Sequence, residues 1–333
     1  MNDLADEISA SPRLYPQKLD AERDQVFLVR MEEAAYRAAS FLDDRILTPA
    51  TRRAWVPWSM VADAMKTTTT QRPLHFIFHT GHVGSTLLSR LIDETGATLG
   101  LREPLPLRTL AELSDAGSPQ FDARLPTFFK LWRRAFFTNK AIVLKATSSN
   151  GRIAPRLLDA SATSKAIYLN LRAEPYLATL LAGANALVDL RGFEADRARR
   201  VRAAIGDMPD PASLGELAAM SWLAESLAQQ AAVRAHPGRV MPLNFDELLG
   251  RLSHTMYAVL DHLGVPYPPG FGAAIGKSPV LTRYSKAPEH AYSATLRQQL
   301  LLQARAGHAL EIRTGLIWLE RIAQRNTDVA ALL

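Results

Sequence analysis

Four short apolar runs, at 74–78, 141–144, 166–169 and 239–243, alternate with stretches of helical periodicity at about 84–95, 120–138, 152–160, 174–190 and 211–235. Runs that are apolar throughout, without polar alternation, read as strands buried on both faces. A strand–helix–strand order then predicts a parallel sheet with helices on both sides, an α/β fold of three layers. Upstream, Val26, Phe27, Val29, Ala34, Ala35, Ala38 and Phe41 recur at mixed three- and four-residue steps, which predicts helix over 17–45. The polar stretch 67–73, four threonines followed by Gln71, Arg72 and Pro73, separates that part from the rest. The expected organisation is a helical N-terminal extension over 1–70, packed on the core, and an α/β domain over 71–333. Five prolines between Pro266 and Pro288 predict a long loop over 265–290, and a final helix is expected over 294–324.

Several function classes are disfavoured by composition. The chain of 333 residues contains no cysteine, which excludes disulfides, thiolate metal sites and a cysteine nucleophile. A net charge of +6 is modest and favours anionic ligands. No dense Lys/Arg block is interleaved with aromatics, so no nucleic-acid partner is expected. The apolar stretch 176–190 is too short to span a membrane and carries Asn185 and Asp189. Residues 1–12 lack the pattern of a secretory signal, and a soluble cytoplasmic protein without a membrane partner is expected.

The chemistry concentrates in His79-Thr80-Gly81-His82-Val83-Gly84-Ser85-Thr86, between the first strand and the helix that follows. A strand, a glycine-bearing loop and a helix N-terminus form an anion cradle of backbone N–H groups. The ATP-type loop requires G-x-x-x-x-G-K-[ST]. Aligned on Gly84, this chain offers His79 for the first glycine and Ser85 for the lysine. The following strands end in Leu144-Lys145 and Asn170-Leu171-Arg172, with no acid placed to hold a bridging cation. Ser85 and Thr86 also suit simple helix capping.

Gly84-Ser85-Thr86-Leu87-Leu88 after a buried strand resembles the 5′-phosphosulfate loop of sulfotransferases that use 3′-phosphoadenosine 5′-phosphosulfate (PAPS). Three further segments are similar to that family. Residues 165–172 form a strand ending in Arg172, followed by Pro175 and Thr179, like the family's 3′-phosphate segment; its proline usually stands one residue nearer the arginine. Residues 239–249 followed by Leu260-Asp261-His262-Leu263-Gly264-Val265-Pro266 resemble the family's late strand–helix segment, where Asn244 with Glu247 makes a capping-box-like start. Residues 141–147 resemble the strand that ends in a lysine near the active site.

The resemblance implies a P-loop NTPase-like sulfotransferase fold with PAPS as co-substrate and no required metal. It implies that Gly81, His82, Val83, Gly84, Ser85 and Thr86 hold the phosphosulfate and that Arg172 and Thr179 hold the 3′-phosphate. Arg172 as a surface ion-pair partner, and Lys145 as a solvated strand end, are the alternatives. His82 occupies the place of the family's basic loop residue, where an imidazolium would stabilise charge on the leaving oxygen.

Sulfuryl transfer also needs a base for the acceptor. Glu103, twenty-one residues beyond His82, follows the first helix at a spacing similar to the glutamate-using branches of the family. Pro104 is expected to press Glu103 into extended geometry. The alternative is an ordinary pair with Arg102. His75 and His79 are second candidates, with a packed, satisfied histidine as the commoner outcome. Arg191, Arg197, Arg199, Arg200 and Arg202 read as a solvated helix face, or as a draw for an acidic acceptor.

The resulting expectation is a PAPS-dependent sulfotransferase with Glu103 as base, His82 and Lys145 beside the transferred group, and a small-molecule, glycan or peptide acceptor. The rivals are a metal-dependent small-molecule kinase with a P-loop and a nucleotide- or partner-binding protein without turnover. The acceptor and the oligomeric state are not legible in the sequence.

Overall fold

A computed structural model describes residues 2–68 and 71–333; Thr69 and Thr70, in the predicted polar break, lie outside the described residues. The centre is a five-stranded sheet built from β4 (Leu74–His79), β5 (Thr98–Arg102), β6 (Ala141–Lys145), β7 (Ala166–Asn170) and β8 (Val240–Asn244). Its order is β5-β6-β4-β7-β8, and every pairing is parallel. The four strands expected from the apolar runs are all present. The fifth, β5, escaped the sequence pattern because Thr98 and Gly100 interrupt its apolar run.

Both faces of the sheet are covered. Ile77, Val143, Ile167 and Leu169 point into one apolar cluster, while Phe76, Phe78, Ile142, Leu144 and Tyr168 point into the other. The period-two alternation of a strand divides the same apolar runs between the two cores. Helices occupy both layers, so the three-layer α/β class is the observed one. The chain leaves β4 for the β5 edge, returns to β6, and crosses to β7 on the other side. β4 therefore borders the topological switch, and its carboxyl end is where such sheets bind ligands.

The N-terminal part corrects the helical expectation over 17–45 except at Glu33–Ala38, which is helix. Leu14–Asp20 and Gln25–Arg30 are strands β1 and β2, which pair antiparallel with each other and, through β2, with β3 (Arg53–Pro57). In β2, Val26 and Leu28 alternate into the core, so the operative period was two rather than 3.6. This small sheet shares the apolar cluster of Phe76 and Phe78.

Further corrections are local. The stretch 174–190 is two helices, Ala173–Leu181 and Ala186–Gly192, and the last stretch breaks at His308 into Ala294–Gly307 and Ala309–Ala323. The region expected to be one long loop holds a short helix, Phe271–Ile275, and a hairpin of β9 (Arg283–Tyr284) and β10 (Ala287–Ala291). Asn244 does cap the helix Phe245–Gly250, its Oδ1 accepting from the Asp246 amide at 2.9 Å. No helix among the described residues is long and apolar enough to cross a membrane.

Candidate functional site

The loop after β4 is set by its own backbone demands. Gly81, His82 and Gly84 have φ of +94°, +53° and +71°. Such values suit glycine and strain a histidine, a form of strain that clusters at functional sites. At Gly84 the reason is doubled, because an added Cβ would lie 2.1 Å from the ring of Phe245. His79 fastens the loop to the sheet. Its Nδ1 accepts from the Gly81 amide at 3.1 Å, so Nε2 carries the proton and donates to the Ala146 carbonyl at 3.0 Å. Both ring nitrogens are thus committed, and burial, with Lys145 adding repulsion, holds the ring neutral. His75 is also buried, accepts from the Lys165 amide at 3.2 Å, and lines neither cavity described below. Both histidines take the packed, satisfied role.

The helix Ser85–Asp93 starts at the loop, and its first intrahelical bond runs from the Leu88 amide to the Gly84 carbonyl. The amides of 85–87 are the donors that a helix N-terminus leaves over. The Thr86 Oγ1 is buried there without a partner among the described residues.

Two cavities meet at this loop. The first, of about 890 Å³, includes Glu103, His79, Gly81, Phe41, Ser148 and Tyr176 in its wall. The second, of about 630 Å³, includes Gly84, Ser85, Thr179, Phe245, Tyr292 and Arg297. Among the described residues, only His82 and Lys286 border both.

Glu103 terminates β5 directly beside the end of β6, where Arg102 is in register with Lys145. Its carboxylate accepts from the Lys145 ammonium through Oε1, and its amide donates to the Lys145 carbonyl at 2.7 Å. Oε2 faces Arg108 at 3.6 Å, beyond hydrogen-bonding range. The expected extended backbone is corrected: Glu103 has φ of +55°, a left-handed value for a residue held between a strand end and Pro104. Arg102 does not pair with Glu103. It is buried, bound to Asp93 and to the carbonyls of Tyr36 and Ala39, and so ties the N-terminal part to the sheet. Lys145 is fully buried, which lowers its pKa while Glu103 opposes the shift. The solvated-lysine reading is therefore corrected, and Lys145 reaches the site only as the partner of Glu103.

His82 is solvent-exposed where the two cavities meet, and the protein packed around it, reinforced by Lys286, lowers its pKa to about 4. The protein groups around the ring thus favour its neutral form, whereas the imidazolium was expected beside a phosphosulfate anion. Thr179 lines the second cavity, but its hydroxyl donates to the Pro175 carbonyl at 2.7 Å. Arg172 is exposed and lines neither cavity, so its position gives no support to a phosphate-holding role. The guanidinium in the second cavity is that of Arg297, 2.8 Å from Asp246 and stacked 5.0 Å over the Phe245 ring.

The arginine-rich stretch is only partly a solvated face. Arg197, Arg199 and Arg200 turn into the first cavity, whose described wall carries six cationic side chains and six carboxylates. The arginines are matched with acids: Arg197 with Asp189 at 2.7 Å, Arg200 with Glu225 at 2.8 Å, Arg152 with Asp115 at 2.8 Å, and Arg199 with Asp196 at 2.6 Å. Sequence reasoning missed Lys286, Arg297 and the packing role of Phe245. Only Phe245 left a sequence signal, through the late strand–helix segment.

No protein-family model matches the chain, and no curated protein matches it. Among solved structures, the chain is similar to a sulfotransferase domain from the curacin biosynthetic pathway, at 12% identity over 72% of this chain and 99% of that one, with a TM-score of 0.39. Mouse sulfotransferase SULT7A1 complexed with PAP is similar at 12% identity over 79% of this chain and 89% of that one, with a TM-score of 0.44. Sulfotransferase STF9 from Mycobacterium avium is similar at 11% identity over 92% of this chain and 96% of that one, with a TM-score of 0.37.

Proposed function

We propose that the protein is a sulfotransferase that moves a sulfuryl group from PAPS to a hydroxyl or amine acceptor. The observation that carries this reading is the pair of cavities divided by the loop after β4. One holds a carboxylate anchored at a strand end, and the other holds a helix N-terminus beside aromatic rings. Two ligands brought to opposite sides of one anion-binding loop are what group transfer requires.

The residues present suit a phosphosulfate nucleotide. The amides of 85–87 and the orphaned Thr86 hydroxyl supply neutral donors at the positive end of a helix. Phe245, Tyr284 and Tyr292 offer flat faces for a purine in the second cavity, and Arg297 offers a fork for phosphate. PAPS, when bound, supplies the sulfuryl group and a leaving phosphate oxygen. Glu103 takes the acceptor proton through Oε2, while Lys145 grips the other carboxylate oxygen and fixes its direction. His82, neutral, donates a single hydrogen bond at the boundary between the cavities.

Calorimetric titration tests the reading. 3′,5′-ADP is expected to bind without metal and more tightly than 5′-AMP. Arg297→Gln is expected to remove most of that preference and Arg172→Ala to keep it. Binding of ATP with Mg²⁺ but not of 3′,5′-ADP would transfer the site to a kinase.

A further inference from the structure

The family-like loop has no lysine, yet a transferred sulfuryl group and its leaving oxygen are anionic. A cationic side chain, Lys286, meets the loop from about 200 residues downstream. The β9–β10 hairpin pairs Tyr284 with Ala287, so Ser285 and Lys286 form its two-residue tip. The tip is fastened rather than loose. The Ser285 carbonyl accepts from Arg90 Nε at 3.2 Å and from Ser40 Oγ at 3.3 Å, and Arg90 lies on the very helix that begins at the loop. Lys286 is thereby held at the boundary that it shares with His82.

The charge pattern around it is selective. Each arginine lining either cavity has a carboxylate within 4 Å, as described for Arg197 and Arg297. Lys286 has none among the described residues. Lys286 is exposed where the two cavities meet, so its ammonium can meet an anionic ligand there without first breaking an ion pair.

We propose that Lys286 is the cationic ligand of the 5′ anion, the phosphosulfate of the donor and the 5′-phosphate of the product, in place of the missing loop lysine. This rests on the sulfotransferase reading. In the transfer, the sulfur–oxygen bond to the nucleotide breaks as the bond to the acceptor forms. The electron pair leaves on the phosphate oxygen that the Lys286 ammonium faces, and the acceptor proton goes to Glu103.

The test compares 3′,5′-ADP with 3′-AMP, which lacks the 5′ anion, by calorimetry. Lys286→Gln is expected to weaken 3′,5′-ADP about tenfold or more, by the loss of one charge-assisted contact, and to leave 3′-AMP unchanged. Lys286→Arg is expected to restore most of the affinity, and the loss is expected to shrink at high salt. Unchanged 3′,5′-ADP affinity in Lys286→Gln, or an equal loss for 3′-AMP, would overturn the assignment while leaving the sulfotransferase reading intact. A wild-type protein that binds no 3′,5′-ADP would overturn both.

Discussion

Glu103→Gln separates chemistry from architecture, because Glu103 serves both. Lys145 has a side-chain exposure of 0% and Glu103 of 12%, and the pair bridges the ends of β5 and β6. Removing one member of a buried pair costs about 3–5 kcal/mol, because a buried charge is left behind. Glutamine keeps one oxygen that accepts from the ammonium, so the expected loss is about 2–4 kcal/mol. Turnover is expected to fall about 10²-fold or more, the usual contribution of a general base. Partial unfolding could mimic that fall, so the decisive variant is Glu103→Gln with Lys145→Met. Replacing the lysine with an apolar chain of similar length removes the orphaned charge, and stability is expected to return to within about 1 kcal/mol of the wild type. Urea denaturation reads stability, and transfer of labelled sulfate from PAPS to an acceptor found by screening reads turnover. If the double variant regains activity together with stability, Glu103 is an architectural residue and not the base. If Glu103→Gln alone is as stable as the wild type, the buried pair is not what holds these strand ends.

Gly84→Ala is expected to cost about 2–5 kcal/mol, combining the penalty of a left-handed alanine with overpacking against Phe245. Adding Phe245→Leu is expected to recover the steric part alone, and simple additivity in denaturation experiments would refute the contact. Burial lowers the pKa of His75 to about 4, so the folded protein refuses a proton that the unfolded chain accepts near 6.5. Stability is then full above about pH 6.5 and falls as the pH drops toward 4, with His75 contributing about 3 kcal/mol to the fall. His75→Asn is expected to flatten this part of the denaturation-midpoint profile, and parallel profiles would refute it.

The sequence alone determined four of the five strands of the sheet, and the loop. Strands buried on both faces must be apolar throughout, so β4, β6, β7 and β8 announced themselves, and the glycines of the loop record backbone angles that other residues resist. Glu103 became a candidate through the family resemblance in its spacing from the loop, and it lines the first cavity. β1 and β2 were not, because short apolar runs with mixed spacing satisfy helix and strand alike, and packing against the sheet decides between them. Protonation and partnership were decided only by tertiary structure. Nothing in the neighbouring residues foretold that Lys145 would be buried under Glu103, or chose between the phosphate-holding and the surface readings of Arg172. Lys286 is the clearest case: it stands in a proline-rich stretch with no local motif, and a hairpin pinned to Arg90 and Ser40 carries it to the loop. Local sequence fixes backbone preferences over a few residues, whereas charge state and ligand access depend on which distant chains close around a group.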